Sequence, residues 1–245
     1  AATGLTLMVS SQGTDIVCKD VAIGEVWLAG GQSNMEGAGR MTSTDDVLTA
    51  HPDPLVRAFM MNDVWGPAVP LLNTKWNSRD PLIGGIFRKE RDTSVWHPYD
   101  VPGEMPFHAD RCGVGPGYAF AREMARITGV PQAVIPCAVG GSSMNDWDPD
   151  ATDRDTFFAY TLRRFRAAGG RVRGLYWDQG EADTAEACRA RYVARMQHLV
   201  ARFREVTGDP ELPVVINQIA ATTLPWITEK TSHTEATITY PSRSL

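Results

Sequence analysis

Apolar and polar positions along this chain follow two different periods. From Leu5 to Val9 and from Asp15 to Cys18 they alternate, flanking Ser11-Gln-Gly-Thr14, a pattern that predicts a β-hairpin. Four apolar runs follow at wide spacing, Val26 to Leu28, Gln132 to Val139, Val172 to Trp177 and Leu212 to Ala220, and each reads as a buried strand. Between them the period changes to three and four residues. Tyr118, Phe120, Ala121 and Met124 mark the buried side of a helix entered through Gly113-Val-Gly-Pro-Gly117, and Phe158, Leu162 and Phe165 mark a second over Phe157 to Phe165, stopped at Gly169-Gly170. Tyr192, Val193, Met196, Leu199, Val200 and Phe203 form one stripe on a third, from Glu186 to Val206. Strands alternating with helices predict a parallel sheet covered on both faces, a three-layer αβα sandwich.

One stretch escapes this scheme. Glu36 to Arg111 is rich in Pro, Gly, Asp and Trp and shows weak periodicity, so it reads as a long set of loops. Its aromatics Trp65, Trp76, Trp96, Tyr99 and Phe107 are suited either to stacking on sugar rings or to packing the loops against the domain.

Composition narrows the function classes. A chain of 245 residues with 43% hydrophobic residues can bury one sizeable core. The net charge of −5 argues against a nucleic-acid partner, and the arginines between Arg163 and Arg204 are interleaved with acidic and apolar residues, as on a solvated helix face. No apolar run approaches the length of a membrane span. The Ala1-Ala2 start fits either removal of a signal segment or an arbitrary boundary, with a secreted or periplasmic setting favoured. Cys18, Cys112, Cys137 and Cys188 lack the paired spacing of a zinc site; Cys137 is expected buried and reduced, while Cys112 and Cys188 could pair under oxidising conditions.

Candidate chemistry gathers where strands end. After the Val26 run, Gly30 and Gly31 allow a sharp turn that leaves Ser33 at the carboxyl edge of the sheet, where ligands bind in open α/β folds and where a serine can act as a nucleophile. The same residues also fit a turn whose side chains bond only the local backbone. After the second strand, Gly140-Gly-Ser-Ser-Met-Asn-Asp-Trp147 reads by itself as an ordinary turn, and its double glycine also allows a backbone N–H to face the site, as an oxyanion hole requires. The third strand delivers Asp178-Gln-Gly-Glu-Ala-Asp183, which also reads as an acidic helix entry. The glycines at 113, 115 and 117 lack the Lys-Ser/Thr pair of a phosphate loop and the preceding strand of a dinucleotide site.

Gly31-Gln-Ser-Asn-Met35 resembles the nucleophile block of the SGNH hydrolases, closest to the branch of sialate O-acetylesterases and acetylxylan esterases. The Gly113-Val-Gly-Pro, Gly140-Gly and Gln179-Gly-Glu181 segments fit the same family in the same order, so the likeness covers roughly Gly24 to Ala220. The resemblance implies an SGNH hydrolase fold with a parallel, flavodoxin-like sheet whose last strand is missing or altered, residues 21–245 forming that domain and residues 1–20 the tail of a preceding β-rich segment. It implies removal of acetyl groups from sugars such as sialic acid or xylan, with an acetylated carbohydrate as substrate and no metal or organic cofactor. Ser33 is then the nucleophile, Gly140 or Gly141 and Gln179 serve the oxyanion, and Gln32, Asn34, Gly141, Glu181 and Trp147 shape the substrate pocket. The family has another residue where Asp178 stands. It also carries its histidine base in an Asp-x-x-His block that this chain lacks, the residues three before its five histidines being Leu48, Ser94, Met105, Arg195 and Lys230. Either the chain is cut or altered before that block, leaving a carbohydrate-binding domain of weak activity, or His233 serves as base with Glu235 or Glu181 orienting it. The first is preferred, because His233 follows the fourth strand too closely.

Overall fold

The computed structural model of the chain describes residues 2–37, 52–75, 78–83 and 114–219. Among these, a six-stranded sheet runs in the order β5-β4-β6-β3-β7-β8. Its strands are β3 (Glu25–Gly31), β4 (Val56–Phe59), β5 (Trp65–Pro67), β6 (Gln132–Pro136), β7 (Gly174–Asp178) and β8 (Val214–Ile216). All neighbours pair parallel except β5, which joins β4 antiparallel at the edge. Strand β3 lies in the middle, flanked by β6 and β7, so the chain winds outward from it in both directions. That reversal opens a crevice beyond the carboxyl end of β3.

The layers follow from alternation along the strands. Leu28, Ile135, Leu175 and Trp177 turn to one face and pack against Phe158 and Phe165 of α3 (Phe157–Ala167) and Leu199 and Phe203 of α4 (Glu186–Thr207). Ala29, Val134 and Tyr176 turn to the other, under Tyr118, Ala121 and Ala125 of α2 (Pro116–Thr128) and Met35 of the single-turn α1 (Ser33–Glu36). Helix α2 starts with Pro116 at its first turn and stops at Gly129 in the left-handed conformation. This is the expected αβα sandwich, with two additions. Strands β4 and β5 lie inside the stretch read as loops, and the antiparallel β5 makes the sheet mixed rather than purely parallel. Their brevity hid them: four residues with Arg57 inside, and three holding Gly66 and Pro67.

Two helix readings need correction. Val193 of the proposed α4 stripe is 65% exposed, leaving Met196, Leu199 and Phe203 as the buried positions. Arg164 is not on a solvated face but 2% exposed. Its guanidinium donates to the carbonyls of Pro136, Phe59 and Met60 and pairs with Asp63 at 2.8 Å. A buried charge demands such pairing, and here it ties α3 to the ends of β4 and β6.

Ahead of the sheet stands a separate two-stranded hairpin, β1 (Ala2–Ser11) and β2 (Thr14–Ile23), turning at Gln12 and Gly13, both at positive φ. Leu7, Met8, Val9, Ile16 and Val17 are all exposed. Asp20, also at positive φ (56°), sits next to a register irregularity and pairs with Arg57 of β4 at 2.8 Å, fastening the hairpin to the body. Cys18, Cys137 and Cys188 are free thiols; Cys112 lies outside the described residues. Complete burial pushes the Cys137 thiol up to about 11.

Candidate active site

Strand β3 ends at Gly31, whose φ of 140° and position against the Asp178 carbonyl leave no room for a side chain. Gln32 then enters the short helix and carries Ser33 out of the sheet. Ser33 is half-buried, and its hydroxyl makes no hydrogen bond among the described residues. A serine whose side chain stabilised only a local turn would bond nearby backbone; this one does not.

The residues on either side of Ser33 are locked. The Gln32 side chain is 4% exposed, and its Oε1 accepts three hydrogen bonds: from Gln179 Nε2 at 3.2 Å, Gly180 N at 3.2 Å and Ala182 N at 3.1 Å. One oxygen of the residue before Ser33 thus organises the turn after β7. Asn34 donates through Nδ2 to Glu181 Oε1, joining the same two segments on the solvent side. Behind α1, the Asn73 amide donates to the carbonyls of Glu36 (2.9 Å) and Met35 (3.4 Å), which the short helix leaves unsatisfied. Lys75 pairs with Glu36 at 2.5 Å, both side chains largely buried.

The Gly140-Gly141 loop faces this arrangement. Both glycines are exposed, and Gly141 has a φ of 73°. Below them Ser142 is buried, its Oγ accepting from the Trp147 indole N–H at 2.9 Å. Trp147, expected in the substrate pocket, is fully buried against Trp177 and supports the loop from beneath. A Cβ on Gly140 would lie 2.6 Å from Glu36 Oε2, which Lys75 holds in place. Gly140→Ala is therefore expected to push the loop off its position and lower kcat by roughly tenfold, the scale of a small misplacement at a reacting centre. Steady-state kinetics beside a melting curve checks this; unchanged kcat would show that the loop yields without consequence.

Gln179, expected at the oxyanion, is 2% exposed. Its Nε2 lies 2.7 Å from Asp183 Oδ2, 3.1 Å from the Ser142 carbonyl and 3.2 Å from Gln32 Oε1. Three acceptors around one amide nitrogen fix its orientation and take both its hydrogens. Asp183 also accepts from Met144 N at 2.9 Å, so Gln179 and Asp183 together pin the loop after β6 to the turn after β7. Asp183, within the acidic block after β7, and Asn73 and Lys75, in the loop-like stretch, carry no motif of their own in the sequence. Asp178 turns away to Asn217 of the strand β8 end, 3.0 Å off, and burial holds its carboxyl above the usual range despite that bond. His198, exposed on α4, is occupied by Asp150 at 2.7 Å. His233 lies outside the described residues, as do Trp76, Trp96, Tyr99 and Phe107.

Ser33, half-buried and with its hydroxyl bonded to no described residue, thus sits at the carboxyl end of the central strand beside the double-glycine loop. The family model described as carbohydrate esterase, sialic acid-specific acetylesterase, matches residues 23–243. The chain belongs to this family. Within this acetylesterase family, a probable carbohydrate esterase of Arabidopsis thaliana is 32% identical over 125 residues, 47% of this chain and 48% of that protein, so the chain spans about half the length of the curated relative it matches. The crystal structure of that Arabidopsis protein superposes with a TM-score of 0.52 at 21% identity, covering 78% of this chain and 72% of that one. A carbohydrate acetylesterase of Xanthomonas citri gives 0.56 at 23% identity, covering 88% and 46%, and the protein NanS gives 0.52 at 18%, covering 78% and 66%. At those identities the structures show a shared α/β fold.

Proposed function

We propose that this chain is a serine-dependent carbohydrate O-acetylesterase. The observation that carries it is the Ser33 hydroxyl, which bonds to no described residue, between Gln32 and Asn34, which are themselves tied to the turn at 179–182. In this reading Ser33 Oγ attacks the acetyl carbonyl, giving an acetyl-enzyme and releasing the sugar hydroxyl; water then cleaves the ester and returns Ser33. The oxyanion is taken by backbone N–H groups, those of Ser33 and of Gly140 or Gly141, while Gln179 and Asp183 hold the two loops at the distance the carbonyl needs. Glu181, fixed by Asn34, borders the sugar side. His233 is the proton acceptor, within the segment the family model matches.

The missing Asp-x-x-His block favours a second reading, in which the pocket binds sugar but turns it over poorly. One experiment separates them. Acetate release from acetylated xylan and from O-acetylated sialic acid, followed against pH, is expected to rise through an imidazole pKa of about 6.5 and to be lost in His233→Ala. A flat, near-background profile that His233→Ala leaves unchanged supports the second reading.

A further inference from the structure

The amino edge of the sheet carries a cavity that the esterase chemistry does not use. It has a volume of about 350 Å³ and opens where the hairpin leaves the body, bordered by Asp20, Arg57, Trp65, Gly66, Pro131 and Gln132. Ser33 lies beyond the opposite end of β3, a seven-residue strand spanning roughly 20 Å. We propose that this cavity binds one or two rings of an uncharged carbohydrate chain and holds a polymer while its acetyl groups are removed at the other edge. The choice of carbohydrate rests on the esterase reading above; the existence of the site does not.

Three features point to that ligand. Trp65 is the one exposed aromatic among the described residues, at 41%, whereas Trp27, Trp147 and Trp177 are buried. Its indole leans on Phe59 at 5.2 Å between centroids, so the ring is steadied and part of its surface stays open, a platform for the C–H face of a pyranose. The polar groups of the rim are paired rather than free: Asp20 with Arg57 at 2.8 Å, and Glu25 with Arg173 at 3.2 Å. Such pairs have spare donors and acceptors for hydroxyl groups but no unmatched cation for a carboxylate, which selects a neutral sugar over an acidic one. Finally, the register pairs Phe59 with Trp65 and Arg57 with Pro67, so Arg57, Phe59 and Trp65 share one face of the sheet, and the ring and the ion pair border the same cavity.

The test is titration of the purified chain with xylotetraose by calorimetry and saturation-transfer NMR. Saturable binding is expected, weakened at least tenfold in Trp65→Ala. Trp65→Phe keeps a ring on Phe59 and is expected to retain most of the affinity, in a chain that keeps its melting temperature. Binding of N-acetylneuraminic acid is expected to be at least fivefold weaker than that of xylotetraose. The proposal is overturned if wild type fails to bind xylotetraose, if Trp65→Ala binds it unchanged, or if the acidic sugar binds as well. Xylotetraose carries no acetyl group, so a chain that binds it through Trp65 yet cleaves no acetyl ester would sink the esterase reading and leave this one standing.

Discussion

Ser33→Ala is expected to slow hydrolysis of 4-nitrophenyl acetate by about four to six orders of magnitude, the loss seen when acyl-transferring hydrolases lose their nucleophile. The reasoning is local. The Ser33 hydroxyl bonds to no described residue, so its removal should leave Gln32, Asn34 and the turn after β7 where they are. What remains is a site that can bind and polarise the ester without attacking it. The variant should melt within about 2 °C of the wild type, because no buried partner is orphaned. A fluorophosphonate probe is expected to label wild type at Ser33 and to leave the variant untouched. Hydrolysis by the variant within tenfold of wild type would remove Ser33 from the mechanism.

Gly31→Ala is expected to have the largest effect on folding. A Cβ there would stand 2.0 Å from the Asp178 carbonyl oxygen and 2.6 Å from its carbon, backbone atoms that cannot rotate aside, at a φ of 140° that side chains rarely adopt. The residue also sits at a junction. Its carbonyl accepts from Val139 N at 3.0 Å, and the next N–H, of Gln32, donates to Asp178 at 2.9 Å. Relieving the clash means parting β3 from β7 at the end that carries Ser33. The combined strain and lost bonds should cost about 3–5 kcal/mol, and the melting temperature should fall by roughly 10 °C, given the size of the chain. Thermal denaturation checks it. A variant as stable as wild type would mean that the two strands do not meet as described.

What the sequence disclosed depended on how far apart the cooperating residues lie. Strands β3, β6 and β7 were legible because both their faces are buried, which leaves unbroken apolar runs. The Gln32-Ser33-Asn34, Gly140-Gly141 and Gln179-Gly180-Glu181 segments were legible as words, each complete within a few residues. Strands β4 and β5 were not, since four residues with an arginine and three with a glycine and a proline carry no period. Arg164 misled for a related reason. Helical patterning sends arginines to water, and the carbonyls that receive this one come from residues 59, 60 and 136, which converge only in the fold. The roles of Asn73, Lys75 and Asp183 likewise depend on partners from other segments, and the inward-facing amide of Gln179 follows from three acceptors supplied by three different loops.

The hairpin at the start of the chain has a consequence for motion. Among the described residues its strands pair only with each other, most of its side chains are exposed, and one ion pair joins it to the body at a partly solvated position. A two-stranded ribbon of this kind is marginal by itself, so it is expected to open locally at little free-energy cost, whereas the amides of β3 are expected to exchange only with unfolding of the six-stranded body. The ribbon and Ser33 therefore belong to different cooperative units. Fluctuation of the ribbon reaches the rim of the cavity at Asp20 and leaves Ser33 undisturbed.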